Sequence, residues 1–324
     1  MNFDDKNVLV TGGAGFLGSH LVGRLLQERC RRVIALDNMF LGNVRNLDDA
    51  RKAGPRFVLY RDDASDHQAL EEILSKNDID IVYNLAAVPV LFSIDRPYRT
   101  YLTNVKIVLE LAELLRKDHY ETLIHFSSSE AYGSGVRLPM KEDHPLYPMH
   151  AYGASKAASD QIILSYTNCY GIDSAIIRPF NTYGPRQNER AYAGIVPTTI
   201  RRILVGRPPI IWGDGHQTRD YSFVSDIVES AARMYTSPAS RGRVTNVGSG
   251  VETSVRDLVA MISQLMNFSR SPRWSHARQG EVRRMCADTR FAEEQSILPR
   301  RRVSLRDGLR TTISWYMKGG RERV

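Results

Sequence analysis

The sequence has few cysteines and no long apolar segment, and each absence excludes a class of protein. Its three cysteines, Cys30, Cys169 and Cys286, are odd in number and widely spaced, so they indicate neither a disulfide framework nor a zinc site. No apolar run approaches the roughly 20 residues of a membrane-spanning helix. The first residues, MNFDDKN, are acidic, whereas a signal peptide begins with basic residues. We therefore expect a cytoplasmic protein with no bound metal and no membrane partner.

The chain also lacks the patterns of a nucleic-acid-binding protein, despite its net charge of +8. Its arginines are scattered, with short local clusters such as those at positions 201–202, 283–284 and 300–302. No motif for base stacking or groove insertion accompanies them. The positive charge instead suits phosphorylated small molecules, and we expect no nucleic-acid partner.

The first half of the chain alternates short apolar runs with amphipathic stretches. The runs VLV, VIAL, FVLY, DIVYNLA, TLIHFSS and DSAII predict six strands. Helices are predicted between them, at 15–28, 66–75, 96–117 and 152–170. Strands separated by helices of this length form a parallel, doubly wound sheet, so the pattern predicts an α/β protein.

The first predicted strand runs directly into a glycine-rich turn in the segment VLVTGGAGFLG. Its glycines fit the spacing Gly-x-x-Gly-x-x-Gly at Gly12, Gly15 and Gly18, and the related Gly-x-Gly-x-x-Gly from Gly13. Such glycines permit a tight turn, let backbone N–H groups approach a pyrophosphate and let the following helix pack on the strand. The segment therefore predicts a Rossmann-type sheet that binds a dinucleotide.

An acidic residue completes this pattern. Asp37 ends the second predicted strand, 19 residues after Gly18, where a carboxylate accepts both ribose hydroxyls. The same carboxylate would repel a 2′-phosphate, so the sequence favours NAD.

Beyond residue 178 the regular alternation ends, and glycine and proline cluster at 184–185, 208–209 and 213–215. At 324 residues the chain is long enough for one large or two modest domains. We predict an NAD-binding domain over residues 1–178. Residues 179–324 are predicted to form a smaller, predominantly substrate-binding α+β lobe, some segments of which can return to the sheet. The cleft between them is the expected substrate site.

A tyrosine and a lysine four residues apart, Tyr152 and Lys156, open one of the predicted long helices. This spacing puts the phenol and the ammonium on one helix face, and a nearby cation stabilises a phenolate. We therefore expect the Tyr152 pKa to lie below its reference value of about 10, which makes the phenol a base near neutrality. From the spacing alone, the simpler interpretation is an exposed pair of side chains at the start of a helix. The dinucleotide motif nearby in the sequence pattern favours a catalytic pair instead.

Three serines follow the fifth predicted strand in the segment FSSSEAYG. Their hydroxyls are expected at the carboxyl edge of the sheet, where ligands bind. Ser128 is predicted to hydrogen-bond a substrate hydroxyl or keto oxygen, although serines after a strand also form turns and caps.

Taken together, these segments resemble the extended short-chain dehydrogenases/reductases of the nucleotide-sugar epimerase/dehydratase group. The resemblance extends from Val8 to about Tyr316 and is carried by TGGAGFLG, Asp37, NLAA, SSSEAYG, YGASK, RPFNTYGPR and GDGHQTRDYSFVSDIVE. It implies an NAD kept bound through turnover, a nucleoside-diphosphate sugar as substrate, and a catalytic set of Ser128, Tyr152 and Lys156.

The resemblance also implies which residues contact the two ligands. Those expected to bind the cofactor are Gly12, Gly15, Phe16, Leu17, Gly18, Asp37, Asn38, Asp63, Ala64, Leu85, Ala86, Ala87, Asn104, Tyr152 and Lys156. Those expected to contact the sugar nucleotide are Ser128, Ser129, Asn181, Val196, Arg219, Arg278 and Glu281. The two arginines suit a diphosphate in a cleft, although each can instead be a solvated surface residue.

Members of this group share oxidation of the C4 hydroxyl and then diverge. A 4-epimerase returns hydride to the opposite face of the keto sugar, a dehydratase eliminates water across C5 and C6, and a decarboxylase loses the C6 carboxylate. Glu130 is a further candidate catalytic residue because the dehydratase and decarboxylase branches carry glutamate there, but it can equally be structural. The usual 4,6-dehydratase pattern has aspartate immediately before that glutamate, where this chain has Ser129.

Other segments favour an epimerase. The segments that look most like those of 4-epimerases are VP at 88–89, SIDRP at 93–97, GDGHQTRDYSFV and the stretch 278–282. Decarboxylases normally lack the equivalent of Asp220. We therefore expect an NAD-dependent nucleotide-sugar 4-epimerase that acts on an NDP-hexose, with a UDP-sugar favoured, through a transient 4-keto intermediate. A dehydratase or a UDP-glucuronate-type decarboxylase that uses Glu130 is the alternative, and a cofactor-bound regulator without turnover is a more distant one.

Two further expectations concern assembly and substrate. The predicted helices at 96–117 and 152–170 carry apolar stripes, and in the family such helices pair into a four-helix interface. The resemblance therefore implies a homodimer, although the stripes can instead face the sheet. Arg186 follows a Gly-Pro pair, and it can meet a C6 carboxylate or point to solvent.

Overall fold

The computed structural model of the protein describes residues 1–189, 192–278 and 280–319. Within these ranges the strands are β1 (Asn7–Thr11), β2 (Arg32–Leu36), β3 (Phe57–Tyr60), β4 (Ile81–Asn84), β5 (Thr122–Phe126), β6 (Ser174–Pro179), β7 (Asn181–Tyr183), β8 (Ile210–Trp212), β9 (Thr218–Phe223), β10 (Val244–Val247), β11 (Glu252–Ser254) and β12 (Arg273–Ser275). The α-helices are α1 (Phe16–Leu25), α2 (Asp48–Arg51), α3 (His67–Asn77), α4 (Val90–Asp95), α5 (Pro97–Arg116), α6 (Ala151–Tyr170), α7 (Ile195–Leu204), α8 (Val224–Thr236), α9 (Val255–Leu265), α10 (Arg290–Glu294) and α11 (Leu305–Gly319).

A seven-stranded parallel sheet forms the centre of the molecule, which confirms the predicted Rossmann-type α/β fold. Its strand order is β10-β6-β5-β4-β1-β2-β3, and β1 pairs with β2 on one side and β4 on the other. The chain therefore adds strands in one direction from β1 and then reverses. Ligands of such sheets bind in the crevice outside the carboxyl ends of the strands at this reversal.

Helices cover both faces of the sheet, which explains why its strands are rich in apolar residues. All five residues of β1 are buried, as expected of a parallel strand packed on both faces. On one face α1 and α8 contribute Leu21 and Ile227 to the core. On the other face α5 and α6 contribute Leu111 and Ile163.

The described residues after Pro179 supply one strand of the central sheet and two smaller sheets, and we call the part of the structure built around these smaller sheets the lobe. Strand β10 pairs in parallel with β6 at the sheet edge. The remaining strands form a three-stranded sheet, β11-β9-β7, and a two-stranded sheet, β12-β8. None of the helices in the described ranges combines the length and the apolar character that a membrane span needs.

Candidate active site

A cleft of about 1210 Å³ opens at the carboxyl edge of the central sheet and collects most of the predicted site residues. From the cofactor prediction, its lining includes Gly12, Gly15, Phe16, Leu17, Gly18, Asp37, Asn38, Asp63, Ala64, Leu85, Ala86, Ala87, Tyr152 and Lys156. From the substrate and catalytic predictions, it includes Ser128, Ser129, Glu130 and Asn181. Five predicted contacts lie outside this lining, namely Asn104, Val196, Arg219, Arg278 and Glu281.

The glycine-rich turn packs too closely for side chains. Gly12 has a φ of +67°, and a Cβ there would lie 2.9 Å from the backbone nitrogen of Ala86. A Cβ on Gly18 would lie 2.1 Å from the carbonyl oxygen of Gly12. Gly15 is the N-cap of α1 and brings no side chain to the first turn. The N–H groups of that turn are thus left to bind an anionic group in the cleft.

Asp37 is held rigidly at the end of β2. Its Oδ2 accepts a hydrogen bond from the Ala14 N–H at 2.9 Å, and its Oδ1 accepts one from the Met39 N–H at 2.8 Å. Burial raises the pKa of Asp37, and these backbone donors oppose that rise. Each carboxylate oxygen keeps a further lone pair for a ligand hydroxyl. Next to it, Asn38 Nδ2 donates to Asp63 Oδ2 at 3.1 Å, which fixes a second carboxylate in the wall.

Buried side chains join the ends of the three central strands. Thr11 Oγ1 donates to Asn84 Oδ1 at 2.7 Å and accepts from the N–H groups of Leu85 and Ala86. Asn84 Nδ2 lies 3.0 Å from His125 Nδ1 on β5. This chain of contacts fixes the loop after β4, which lines the cleft.

The three residues of the predicted catalytic set lie together. Tyr152 and Lys156 occupy the first two turns of α6, and Lys156 Nζ lies 5.9 Å from the centre of the Tyr152 ring. Ser128, which follows β5, lies near enough to the phenol to lower its pKa. The Lys156 ammonium donates to the Phe126 carbonyl at 2.7 Å, which anchors α6 to the end of β5.

The expectation that the Tyr152 pKa lies below its reference value is wrong for the protein alone. Burial raises the pKa of Tyr152 to about 12; the nearby Ser128 hydroxyl opposes this rise, whereas the charges of Glu130 and Asp160 add to it. Burial also lowers the pKa of Lys156 to about 8, against the charge of Asp160. The sequence shows the spacing of the pair but not its desolvation, which raises the pKa of the phenol and lowers that of the ammonium.

Glu130 contacts a histidine that the sequence analysis did not single out. His150 Nε2 lies 3.2 Å from Glu130 Oε2, and both side chains are largely buried. Burial favours a raised pKa for Glu130, but the hydrogen bond from His150 and the charge of Arg219 hold its pKa below the usual value. The carboxylate is therefore ionised near neutral pH. The hydrogen-bond partner of the Glu130 carboxylate is thus a side chain, whereas a purely structural glutamate in this loop is expected to bond backbone N–H groups.

A buried ion pair lies beneath the catalytic helix. Asp160, two turns after Tyr152 on α6, is paired with Arg178 of β6 and accepts from Ser127 Oγ at 2.7 Å. The Arg178 guanidinium also lies 4.2 Å from the centre of the Tyr132 ring. These contacts tie α6 to the ends of β5 and β6 and place a fixed negative charge near Lys156.

The predicted contacts outside the lining have identifiable positions. Asn104 bonds both backbone groups of Val88, with its Oδ1 accepting at 2.7 Å, and so supports the cleft wall from behind. Val196 is 2% exposed and packs in the core at the start of α7. Arg219 on β9 is near enough to Glu130 to lower its pKa. Their contacts with a ligand stay predictions.

The other two residues lie in the lobe, near the start of α6. The Arg278 guanidinium stacks 4.8 Å from the Trp212 ring centre, and Glu281 Oε1 accepts from Gln217 Nε2 at 2.9 Å. A Cβ on Gly280, between them, would lie 3.0 Å from the Met149 carbonyl oxygen. Gly280 therefore lies directly beside the residues that lead into α6.

Arg186 lines the cleft and contacts the cofactor half of the molecule. Its Nη1 donates to the Ser19 carbonyl at 3.2 Å, and its Nη2 lies 3.6 Å from Asp49 Oδ2. The preceding residue, Pro185, accepts from His20 Nε2 at 2.9 Å. This arrangement places Arg186 beside α1, and a contact with a C6 carboxylate stays a prediction.

Two residues with functional contacts, His150 and Asp160, had no motif to reveal them. His150 precedes the Tyr152 motif, and its only sequence signal is its place at the start of a predicted helix. Asp160 lies four residues after Lys156, a spacing that could have indicated a shared helix face. Among the described residues, no three His, Cys, Asp or Glu side chains are grouped as metal ligands.

Comparisons with known proteins agree with this arrangement. The sequence profile of the family described as GDP-mannose 4,6 dehydratase matches residues 9–310. A UDP-glucose 4-epimerase from Mycolicibacterium smegmatis is 36% identical over 311 residues, which cover 95% of this chain and 97% of that protein.

Two solved structures are similarly close. A UDP-glucose 4-epimerase from Thermotoga maritima, crystallised with UDP-glucose, has a TM-score of 0.90 at 32% identity and covers 97% of this chain and 99% of its own. A dTDP-glucose 4,6-dehydratase from Streptomyces venezuelae, crystallised with NAD, has a TM-score of 0.90 at 30% identity and covers 96% and 97%. The chain therefore belongs to the GDP-mannose 4,6-dehydratase family of extended short-chain dehydrogenases/reductases, and it is an enzyme of the nucleotide-sugar epimerase/dehydratase group.

Proposed function

We propose that the protein is an NAD-dependent 4-epimerase of a nucleoside-diphosphate hexose, with a UDP-sugar favoured. The observation that carries the proposal is the composition of the site around Tyr152. The residue before Glu130 is a buried serine, Ser129, and the Glu130 carboxylate is already bound by His150. Such a site is equipped for proton transfer at the C4 oxygen but has no acid at position 129 to expel a C6 hydroxyl.

The residues of the cleft fit NAD. The glycine turn closes on itself where added side chains would collide, the first turn of α1 has no side-chain cap, and Asp37 is oriented by two backbone donors. These features suit a pyrophosphate and an unphosphorylated ribose. When bound, NAD accepts hydride from C4 and returns it.

The protein's own residues move and hold the proton at the C4 oxygen. Tyr152 is the proposed acid and base, and Ser128 holds the same oxygen by a hydrogen bond. The pKa of Lys156, about 8, lies above neutrality, so the side chain keeps most of its positive charge near the phenol. This charge favours the Tyr152 phenolate, which is the form that takes the proton from the C4 hydroxyl. Desolvation of the phenol disfavours its ionisation, so the binding of cofactor and substrate must supply part of the free energy that ionisation requires.

The lobe formed within residues 179–324 is proposed to hold the sugar nucleotide. Arg219 and Arg278 supply the positive charge that a diphosphate requires, and Asn181, Val196 and Glu281 are the accompanying candidates. Asn181 lines the cleft, and its Oδ1 is buried with no hydrogen-bond partner in the described structure.

A homodimer is part of the proposal. On α5 the stripe of Val108, Leu111 and Leu115 is buried against the sheet. A separate apolar face of α5, formed by Tyr98, Leu102 and Leu109, is 79%, 46% and 38% exposed. Pairing of α5 and α6 with the same helices of a second copy would cover it. Size-exclusion chromatography with light scattering tests this, and a monomeric mass at micromolar concentration would contradict it.

The reaction is tested by incubating the protein with a panel of UDP-, dTDP-, GDP- and CDP-sugars and by determining the mass and configuration of each product. An epimerase gives a C4 epimer of equal mass. Loss of water or carbon dioxide would instead identify a dehydratase or a decarboxylase that uses Glu130. Failure to convert any sugar, with NAD bound, would support a role without turnover.

A further inference from the structure

His150 has both ring nitrogens engaged, which fixes where its proton lies. Its Nδ1 accepts a hydrogen bond from the Gly153 N–H at 3.1 Å and so caps the N-terminus of α6. A nitrogen that accepts cannot carry the proton, so Nε2 is the donor to Glu130 Oε2 at 3.2 Å. The ring of His150 also lies 6.2 Å from that of Tyr152, measured between centres.

Glu130 is the carboxylate that approaches the proposed reacting centre from the end of β5. It lines the cleft with Ser128, Tyr152 and Lys156, and its charge raises the pKa of Tyr152. A carboxylate in this place can also act on carbon. Once C4 is a ketone, the hydrogen on C5 is acidic, and a base can break the C5–H bond, with the electron pair forming an enolate conjugated with the C4 carbonyl.

We propose that His150 is a positioning residue that restrains the Glu130 carboxylate and weakens it as a base toward C5, so that the 4-keto sugar is reduced again rather than enolised. The inference depends on the proposed 4-epimerase function and explains how that site keeps a glutamate without eliminating water. A carboxylate that accepts a charge-assisted hydrogen bond is a weaker base than a free one. The helix cap holds the imidazole in the orientation that provides the bond.

The experiment replaces His150 by serine, which is also a strong N-cap residue but is too short to occupy the imidazole's place beside Glu130. Each enzyme is incubated in D₂O with the UDP-hexose that the wild type epimerises fastest, with UDP-glucose as the first probe. NMR measures deuterium at C5 relative to the amount of C4 epimer formed. Deuterium enters when Glu130 takes the C5 proton and the enolate is protonated from solvent.

We expect His150→Ser to raise C5 deuteration per turnover about tenfold, the effect of removing a hydrogen bond to a charged group. The double variant His150→Ser/Glu130→Gln should return to the wild-type level because the base is gone. His67→Ser is the matched control, since His67 Nδ1 contacts Glu110 Oε2 at 2.8 Å outside the cleft, and it should leave deuteration unchanged. His150→Asn places another good N-cap residue at the same position, so it repeats the comparison with a second side chain.

Unchanged C5 deuteration in both His150 variants, or an equal rise in the Glu130→Gln double variant, would overturn the proposal. A change in kcat alone would point to a purely structural cap and would also count against it. Failure of the 4-epimerase proposal is distinguishable, because in that case the wild-type enzyme itself forms no C4 epimer or forms a product lighter by water or carbon dioxide.

Discussion

Replacing Asp160 by asparagine is expected to move the whole pH profile of the enzyme toward lower pH. Asp160 is fully buried, and its charge raises the pKa of both Tyr152 and Lys156. Asparagine keeps the shape of the side chain and can still accept from Ser127 Oγ, but it removes the charge. Loss of a negative charge makes the protonated form of each neighbour less favourable, so both pKa values fall.

The size of the effect follows from the helix geometry. Asp160 lies four residues after Lys156, so their Cβ atoms are roughly 5–6 Å apart. A charge at such a distance shifts a pKa by about one unit or more. The limbs of the kcat/KM profile report the ionisations of the essential acid and base. The limb set by Lys156 should therefore move down by about one pH unit, and the limb set by Tyr152, eight residues from Asp160, should move in the same direction by less.

Arg178 is left without its buried partner in this variant, which should lower the free energy of unfolding by roughly 3 kcal/mol. Thermal denaturation measures that loss separately from the kinetics. Asp173→Asn is the control, because Asp173 also accepts from a hydroxyl, Thr122 Oγ1, and pairs with an arginine, Arg241, but does so at the amino end of β6. The electrostatic reasoning would be refuted if the limbs of the kcat/KM profile kept the same pH in Asp160→Asn, or if they moved by the same amount in Asp173→Asn.

Three other substitutions test separate parts of the site. Gly18→Ala would put a Cβ 2.1 Å from the Gly12 carbonyl oxygen, and overpacking of this kind should weaken NAD binding about tenfold or more, measured by calorimetry; unchanged affinity would contradict the tight turn. Asp37→Ser should raise NADP affinity relative to NAD about tenfold by removing a charge that repels the 2′-phosphate, and an unaltered ratio of the two Kd values would count against its place at the ribose. Tyr152→Phe should lower kcat about 100-fold or more while the Kd of the sugar nucleotide stays within a few-fold; retention of wild-type kcat would exclude the phenol as acid and base.

The fold was predictable because its signals are local and repeated. Strand β1 is buried on both faces, so its three central residues are apolar, and the glycine turn after it admits no side chains at Gly12 or Gly18. Strand β10 gave no such signal. Its Asn246 is buried because it bonds the Tyr132 hydroxyl and the Met140 carbonyl, which lie more than 100 residues earlier.

The chemistry of the site was only partly predictable. Spacing placed Tyr152 and Lys156 on one helix face, and the structure brings them together with Ser128. The direction of the Tyr152 pKa was missed because it depends on burial, which spacing does not report. His150 was missed for a similar reason, since its contact with Glu130 joins a loop after β5 to the start of α6.

The central claim, that hydride leaves C4 and returns to C4 without elimination, is tested most directly with UDP-glucose carrying deuterium at C4. We predict a C4-epimeric product of equal mass that keeps the deuterium at C4, with no loss of label to solvent. A product lighter by water or carbon dioxide, or an epimer from which the C4 label has exchanged with solvent, would contradict the account.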